Sequence, residues 1–202
     1  MIRWLARSLE DVPADDAWMS PSECATLAGL HVPKRRADYR LGRFTAHAAL
    51  EAFTGRSGWS VRAREDGSPE AEGAELALSI SHSAGRALAA VAPAHVALGC
   101  DLEHVEPRSE ALVLDFFDDE ERALLPTDQT RDRIVTLLWS AKESALKAMR
   151  VGLRADPRAV HVDWDDGLRV RVDGRVFRGG YRVDDGWVMT VVADPWMGVC
   201  LQ

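Results

Sequence analysis

Two stretches of the chain carry apolar residues at helical spacing. In residues 34–53 they recur at steps of three and four: Leu41, Phe44, Ala48 and Ala52. In residues 130–149 the same spacing is followed by Ile134, Leu137, Ala141, Ala145 and Ala148. Because apolar positions at this period form one stripe, the pattern predicts two long helices, each with a buried face. A shorter helix is predicted to begin at Asp118, since Glu121 three residues later completes a capping box.

Apolar strand candidates follow each predicted long helix. After the first they cover residues 75–81, 86–92 and 96–103, and after the second 168–172, 175–183 and 187–193. Asp173-Gly174 and Asp185-Gly186 are typical of tight hairpin turns. Each half is therefore predicted to be a long helix followed by antiparallel strands, which is an α+β fold built from two similar halves. The predicted boundary separates residues 1–98 from residues 99–202.

The composition is that of an ordinary soluble protein. Of the 202 residues, 47% are hydrophobic and 28% are charged. The most apolar region, residues 76–100, is interrupted by His82, Arg86 and His95, so it predicts packed strands and no membrane span. The charged start predicts no signal peptide, and the three scattered cysteines predict neither a disulfide framework nor a zinc site. We therefore expect a cytoplasmic protein.

The charged residues narrow the possible partners. A net charge of −7 argues against binding nucleic acid through the overall field. Only three of the 25 basic residues are lysines: Lys34, Lys142 and Lys147. An ammonium and a guanidinium are not interchangeable at a phosphate. The bias therefore reflects either codon usage or a requirement for an ammonium at these positions.

The segment Gly99-Cys100-Asp101-Leu102-Glu103 follows an apolar run and is predicted to end a strand. Residues two apart on a strand share a face, so Asp101 and Glu103 would lie side by side while Leu102 enters the core. Two like charges this close favour a bound cation. A polar strand end that faces water explains the pair equally well.

A second acidic and basic cluster is the segment Trp139-Ser140-Ala141-Lys142-Glu143-Ser144-Ala145-Leu146-Lys147. On a helix, Trp139, Glu143 and Lys147 lie on one face, each four residues from the next. A core tryptophan beside an ordinary surface ion pair explains this spacing by itself. The segment nevertheless adds a third carboxylate and two of the three lysines to the candidate chemistry.

Two further stretches are suited to bind phosphates. Residues 79–86, Ser-Ile-Ser-His-Ser-Ala-Gly-Arg, are predicted to form a turn whose hydroxyls, N–H groups and imidazole can face a phosphate. After Lys34-Arg35, the residues Arg36, Arg40 and Arg43 would line one helix face as a clamp for a polyphosphate. A plain hairpin turn and a solvated helix face are the alternatives.

In this order and spacing, the four stretches resemble the surfactin-synthetase-type 4′-phosphopantetheinyl transferases. That family has a basic helix, a Ser-His-Ser turn, a Gly-x-Asp-x-Glu strand end and a Trp-x-x-Lys-Glu-x-x-x-Lys helix. Leu114-Asp115-Phe116-Phe117, with Glu120 and Glu121, also looks like the helix after the family's metal strand. The resemblance covers residues 34–153. It implies a monomer that is a pseudo-dimer of two α+β halves, with coenzyme A in the cleft between them.

The resemblance also implies roles for individual residues. Asp101, Glu103 and Glu143 would hold Mg²⁺, while Lys147 would contact the diphosphate of coenzyme A with help from Lys142. Further contacts to coenzyme A would come from Arg36, Arg43, Ser81, His82 and Ser83. Glu143 would accept a proton from the attacking serine, directly or through a metal-bound water, so Glu143 and Lys147 would be catalytic.

The implied reaction is phosphoryl transfer to a carrier protein. A serine of an acyl or peptidyl carrier protein would attack the β-phosphate of coenzyme A, and 3′,5′-ADP would leave. The carrier could belong to a fatty-acid system or to the polyketide and nonribosomal-peptide systems of secondary metabolism. We expect neither a nucleic acid nor a membrane as partner.

One departure and two alternatives accompany this interpretation. The family often has Gly-Lys-Pro or Gly-Arg-Pro before the Ser-His-Ser turn, where this chain has Gly67-Ser68-Pro69. This predicts weaker coenzyme A binding unless Arg62, Arg64 or Arg86 compensates. Three carboxylates with basic residues would also suit a metal-dependent phosphodiesterase or nuclease. A non-catalytic module that binds coenzyme A or a carrier protein is the second alternative.

Overall fold

The computed structural model describes residues 1–152, 155–164 and 167–201. The helices described are α1 (Pro21–Ala28), α2 (Pro33–Thr54), α3 (Glu110–Phe116), α4 (Asp119–Ala123) and α5 (Arg131–Ala148). The first strands are β1 (Ile2–Ser8), β2 (Val61–Ala63), β3 (Pro69–Ala71), β4 (Leu76–Ser83), β5 (Arg86–Pro93) and β6 (Ala97–His104). The later strands are β7 (His161–Asp163), β8 (Leu168–Val172), β9 (Arg175–Asp184), β10 (Trp187–Asp194) and β11 (Val199–Leu201). Within the described ranges, no helix is both long enough and apolar enough to cross a membrane.

The first of two compact units contains residues 1–96 together with the C-terminal segment from Met197. Its sheet has the order β11-β1-β5-β4, with β1 parallel to β11 and the other pairs antiparallel. The central strand β5 is buried from Ala87 to Ala92, which explains its unbroken apolar sequence. Strands β2 and β3 form a separate hairpin, and α2 packs on the sheet.

Helix α2 begins and ends where its sequence predicts. Pro33 occupies the first turn, and Gly55 ends the helix with a φ of 71°, a left-handed conformation that glycine adopts without strain. Its buried face is made by Leu41, Gly42, Thr45, Ala46, Ala49 and Leu50. The predicted stripe through Phe44, Ala48 and Ala52 is therefore wrong by about one residue. Those three side chains lie at its half-buried edge, where Phe44 meets the ring of Trp18 at 5.3 Å.

The second unit contains residues 97–196. Its antiparallel sheet has the order β6-β10-β9-β8-β7, and α5 packs on β6 and β10. Helix α5 is buried over most of its circumference, because it packs on β6 and β10 and shares a hydrophobic core with Val113 of α3 and with Phe117. The core includes Val113, Phe117, Val135, Leu138, Ala141, Ala145, Val170, Phe177 and Val192.

The hairpin turns and the capping box are confirmed. At Asp173-Gly174 and Asp185-Gly186, both residues of each turn have positive φ, between 48° and 75°, as tight hairpins require. Asp118 accepts a hydrogen bond from the Glu121 backbone N–H at 2.8 Å and caps α4. These local signals depend on neighbouring residues only, so the sequence carries them in full.

The predicted fold class is confirmed, since each unit has a long helix on a mainly antiparallel sheet. One grouping of strands is wrong. The strand predicted at residues 96–103 was placed with those that follow the first long helix, but as β6 it pairs with β10 in the sheet of the second unit. The sequence analysis also missed β1 and β11, which pair in parallel across almost the whole chain. Such long-range pairing leaves no local pattern that identifies the partner.

Candidate active site

Strand β6 presents two carboxylates near its end. Asp101 pairs with Thr190 of β10 and Glu103 with Val188, so both side chains lie on one face of the sheet. Leu102 points the other way and is buried, as predicted. Asp101 is itself only 2% exposed, whereas the Glu103 side chain is 23% exposed. The acidic pair therefore lies at a half-buried position and not on an open strand end.

Gly99 allows α5 to lie directly against this strand. A Cβ atom at Gly99 would be 1.8 Å from the carbonyl oxygen of Ser144 and 2.7 Å from the backbone nitrogen of Ala148. Only glycine permits this approach, which brings the turn of α5 that carries Glu143 and Lys147 alongside Asp101. The same helix is also held against β10, where the Thr190 hydroxyl lies 2.7 Å from the Ser144 hydroxyl and 2.9 Å from the Ser140 hydroxyl.

The four predicted residues Asp101, Glu103, Glu143 and Lys147 meet at this crossing of strand and helix. Lys147 Nζ donates to Asp101 Oδ1 at 2.7 Å and lies 4.0 Å from Glu143 Oε2. Both oxygens of Glu103 also accept hydrogen bonds. Trp139 Nε1 donates to Oε1 at 3.3 Å, and Arg108 Nη2 donates to Oε2 at 3.1 Å.

Burial and mutual repulsion shift the acidity of the cluster. Burial raises the pKa of Glu143; Lys147 opposes the rise, and the charges of Asp101 and Glu103 add to it. Burial also raises the pKa of Glu103, with Asp101 adding to the effect while Arg108 and Trp139 oppose it. Burial favours the neutral form of Lys147, but Asp101 and Glu143 outweigh it and raise the pKa of the ammonium. A cation placed among the three carboxylates would therefore offset both their burial and their mutual repulsion.

The donor chemistry of this cluster fits magnesium. Carboxylate oxygens are the ligands Mg²⁺ prefers, and the repulsion just described is what a divalent cation would relieve. The carboxylates are not preformed as a cage: across the described residues, no three His, Cys, Asp or Glu side chains are already arranged to hold a metal. In this arrangement they bond Lys147, Arg108 and Trp139 instead.

Lys142 lies away from this cluster. Its side chain is fully buried, and Nζ donates to Glu121 Oε2 at 2.6 Å and to the carbonyl oxygens of Phe116 and Pro157 at 3.0 and 2.9 Å. These three bonds occupy every donor of the ammonium. In this arrangement no donor of Lys142 is left for the predicted contact with coenzyme A, and Lys142 joins α5 to α4 and to the turn at Pro157.

The basic face of α2 is smaller than predicted. Arg36 Nη1 donates to the carbonyl oxygens of Leu27 and Leu30, at 2.5 and 3.1 Å, and so closes the end of α1. Arg40 bonds Asp16 at 2.7 Å and the backbone carbonyls of residues 13–15. The arginine clamp is therefore not supported at Arg40, and Arg36 has a structural use of its own.

Arg43 lies in a small pocket of the first unit. The pocket is lined by Asp38, Tyr39, Gly42, Arg43, Ala63, Gly67, Pro69, Ile80 and His82. The Arg43 guanidinium stacks on the Tyr39 ring at 4.6 Å and lies 3.9 Å from buried Glu23, which also accepts from His47 at 2.8 Å. Arg43 Nε is buried and lacks a hydrogen-bond partner among the described residues. Arg43 and exposed His82 are thus brought together at one pocket.

The predicted Ser-His-Ser turn is a strand. Ser81, His82 and Ser83 belong to β4, and the turn itself is only Ala84-Gly85. Because side chains alternate along a strand, Ser81 and Ser83 share one face while His82 points to the other. Ser81 is buried, whereas His82 is exposed on the face toward Arg43. A single phosphate on the His82 side would not meet both serine hydroxyls.

The Gly67-Ser68-Pro69 segment forms the rim of the same pocket. Gly67 and Pro69 line it, and between them lies half-buried Ser68, which bonds Asp66. Arg62 and Arg64, two of the three arginines considered as substitutes for the missing basic residue, pair with Glu70 at 2.7 and 3.0 Å. Their charges are therefore already balanced within the β2–β3 hairpin.

Two family models match the chain, one in each half. Residues 97–192 match the 4′-phosphopantetheinyl transferase superfamily, and residues 25–92 match the 4′-phosphopantetheinyl transferase N-terminal domain. The chain belongs to the 4′-phosphopantetheinyl transferases. The first match contains Asp101, Glu103, Glu143 and Lys147, and the second contains Arg43 and His82. Among curated proteins, none matches the sequence.

Similar solved structures include two bacterial enzymes. The holo-(acyl-carrier-protein) synthase from Bacillus anthracis str. Ames, in complex with CoA (3′,5′-ADP), is 25% identical, with a TM-score of 0.40. The match covers 45% of this chain and 91% of that one. The holo-[acyl-carrier-protein] synthase of Thermotoga maritima is 18% identical, with a TM-score of 0.42, and the match covers 48% of this chain and 61% of that one.

Sequence reasoning missed two features of this transferase-family chain. Arg108 is five residues beyond Glu103, in a loop with no recognisable motif, and only the structure shows its bond to that carboxylate. The Glu121–Lys142 pair was also missed, although both residues had been singled out separately. A buried lysine needs a partner for its charge, and that requirement was the signal that could have pointed to the Glu121–Lys142 pair.

Proposed function

We propose that this chain transfers the 4′-phosphopantetheine arm of coenzyme A to a serine of an acyl or peptidyl carrier protein and releases 3′,5′-ADP. The observation that carries the proposal is the meeting of Asp101, Glu103, Glu143 and Lys147, which lies within the residues that match the transferase superfamily. Three carboxylates that can hold a divalent cation, with an ammonium beside them, suit the neutralisation of a diphosphate more than the activation of a neutral substrate.

Asp101, Glu103 and Glu143 would hold a magnesium ion. When bound, Mg²⁺ would supply charge neutralisation at the diphosphate and at the departing oxygen. The oxygen-only donor set and the repulsion among the three carboxylates support this choice. Magnesium dependence is therefore part of the proposal.

Lys147 would bind the diphosphate directly. Its raised pKa keeps the ammonium charged at neutral pH, and its side chain remains 28% exposed on the face that carries the carboxylates. A charged donor at this position favours the extra negative charge that develops on the departing phosphate. Lys147 would act as a phosphate-binding catalytic residue.

Glu143 would accept the proton of the attacking serine. The serine Oγ forms a bond to the β-phosphorus, the bond from that phosphorus to the bridging oxygen breaks, and 3′,5′-ADP departs with the bonding electrons. The proton of the serine hydroxyl passes to Glu143, whose pKa is raised by burial and by Asp101 and Glu103 against the pull of Lys147. A carboxylate with a raised pKa is a better base near neutral pH than an ordinary one.

In the first unit, Arg43 and His82 would bind a phosphate of the nucleotide. They line one pocket, where a guanidinium and an exposed imidazole can both donate hydrogen bonds to a phosphate. Arg36, Ser81 and Ser83 have weaker support, because Arg36 closes α1 and the serines lie on the opposite face of β4. We therefore assign the principal contacts to Arg43 and His82.

The proposal extends to subfamily, assembly and substrate. Two long helices on two sheets within one chain, matched by separate N-terminal and superfamily models, support the surfactin-synthetase type and a monomer. Light scattering at several concentrations tests the monomer, and a mass that doubles with concentration would refute it. Carriers of polyketide and nonribosomal-peptide systems are the proposed acceptors.

Calorimetric titration with coenzyme A, with and without Mg²⁺, separates the candidate functions. The transferase predicts specific binding of coenzyme A that Mg²⁺ strengthens, and release of 3′,5′-ADP only when an apo carrier is added. A phosphodiesterase would degrade nucleotides without a carrier. A non-catalytic module would bind coenzyme A with no need of metal and no turnover. Lys147→Met is the variant to compare with the wild-type chain in this titration, because it removes the ammonium and keeps the three carboxylates of the site.

A further inference from the structure

Arg108 lies against the acidic cluster without belonging to either sequence motif. Its Nη2 donates to Glu103 Oε2 at 3.1 Å and to the His104 carbonyl oxygen at 3.3 Å. The side chain is 12% exposed, so its charge acts through a poorly solvated environment. Glu103 is the carboxylate that we assign to the divalent cation. Arg108 is therefore a positive charge bonded to a candidate metal ligand.

The local structure fixes Arg108 in this place. Its backbone N–H donates to Asp132 Oδ1 at 3.2 Å, and its carbonyl oxygen accepts from Arg131 at 3.4 Å. The nearest other carboxylate is exposed Glu106, at 3.5 Å from Nη1. Because Glu106 is well solvated, it offsets the guanidinium charge only weakly. Most of the effect of Arg108 falls on Glu103.

Trp139 and Arg108 hold the two oxygens of Glu103 in different ways. The indole N–H orients Oε1 without adding charge, whereas the guanidinium brings a full positive charge to Oε2. Lys147 does the same at Asp101. Three carboxylates are thus accompanied by two cations, which leaves little net negative charge for a divalent ion.

We propose that Arg108 is an internal counter-cation that lowers the affinity of the carboxylate cluster for a free divalent cation. The inference rests on the proposed metal role of the cluster. It keeps the carboxylates in place when no metal is bound, and it makes firm binding of the cation depend on the negative diphosphate of coenzyme A. A neutral residue at position 108 should therefore bind the cation more tightly in the absence of coenzyme A.

The test is direct titration of the full chain with Mn²⁺, followed by the electron paramagnetic resonance signal of the free ion. Arg108→Gln and Arg108→Met remove the charge, Arg108→Lys keeps it, and Arg175→Gln removes an exposed arginine that pairs with Asp194 elsewhere in the second unit. We expect the neutral variants to lower the Kd for Mn²⁺ about tenfold without coenzyme A. The Kd for Mn²⁺ of Arg108→Lys and Arg175→Gln should stay near the wild-type value. Adding coenzyme A should lower the Kd of the wild-type chain for Mn²⁺.

The opposite result is equally readable. A residue that bonds a metal ligand can raise metal affinity by orienting that ligand. Weaker Mn²⁺ binding by folded neutral variants would therefore make Arg108 a positioning residue only and overturn the inference. An unchanged Kd, or no binding by any variant, would also overturn it. Thermal melts establish that each variant is folded. A wild-type chain that modifies no carrier, while its neutral variants still bind Mn²⁺ more tightly, would refute the transferase proposal and leave this inference standing.

Discussion

Replacing Gly99 with alanine should damage the site through packing alone. The added Cβ would be 1.8 Å from the Ser144 carbonyl oxygen, whereas real Cβ atoms essentially never approach closer than 3.0 Å. Helix α5 must therefore move from β6 by at least about 1.2 Å, and overpacking of this kind typically costs roughly 1–3 kcal/mol of stability. The same movement separates Glu143 and Lys147 from Asp101.

The catalytic effect should exceed the loss of stability. A misplacement of about 1 Å in a positioned site can reduce the rate roughly a hundredfold. We expect Gly99→Ala to lower kcat for carrier modification by about that factor under conditions where the variant remains folded. The assay is carrier modification followed by mass, with the folded fraction measured by circular dichroism at the same temperature.

Gly179→Ala is the matched control. A Cβ there would be 2.2 Å from the Val191 carbonyl oxygen, so it creates a similar clash in the same sheet, between β9 and β10. It should lower the melting temperature comparably while leaving the kcat of the folded protein within a few-fold of wild type. Equal kcat losses in the two variants, or a Gly99→Ala protein with normal kcat, would refute the argument from close packing.

Three further predictions follow from other contacts. Lys142→Met should cost roughly 3–5 kcal/mol of stability, because it leaves Glu121 charged and buried without its cation. Chemical denaturation measures this loss. If the double variant Lys142→Met, Glu121→Leu recovers stability, the loss is due to the unpaired carboxylate. The pKa of Glu23 lies below its ordinary 4.5, since the bonds from His47 and Ser20 outweigh burial, so its stabilising effect is complete above that value and is lost as pH falls through the lower folded pKa. Glu23→Gln should accordingly give a less steep fall of melting temperature between about pH 5 and pH 3, and an unaltered slope would exclude Glu23 as the cause. Ser68→Lys should lower the calorimetric Kd for coenzyme A about tenfold by returning a cation to the pocket rim, whereas Ser57→Lys, on the loop after α2, should not, and equal effects would indicate a general charge effect.

The sequence predicted most elements because their signals are local. The strands from β4 to β10, apart from short β7, have apolar runs bounded by turn residues, and the Asp-Gly turns fix the hairpins of the second unit. What it could not supply was the partner of each strand, as β6 shows by pairing with β10 and not with its neighbour β5. Pairing is decided by long-range packing, which the order of the strands does not encode.

The site was predictable to the extent that its residues share a motif. Spacing placed Asp101 beside Glu103 and Glu143 beside Lys147, and the family resemblance joined the two pairs into one site. The structure brings them together because Gly99 lets the helix approach. The remaining basic residues were harder to interpret. From the sequence, Arg36, Arg40 and Lys142 were all candidates for binding phosphate groups. In the structure, each bonds carbonyl or carboxylate groups within its own unit. A charged residue shows its use only when its neighbours in space are known.

The most direct test of the proposed function is the intact mass of an apo carrier protein after incubation with this chain, coenzyme A and Mg²⁺. We predict that the carrier gains the mass of one phosphopantetheine arm, that EDTA prevents the gain, and that Asp101→Asn and Glu143→Gln nearly abolish it. A panel of fatty-acid, polyketide and nonribosomal-peptide carriers should include at least one that is modified. If none is modified while the folded chain binds coenzyme A, or if the gain persists in EDTA, the proposed magnesium-dependent transfer is contradicted.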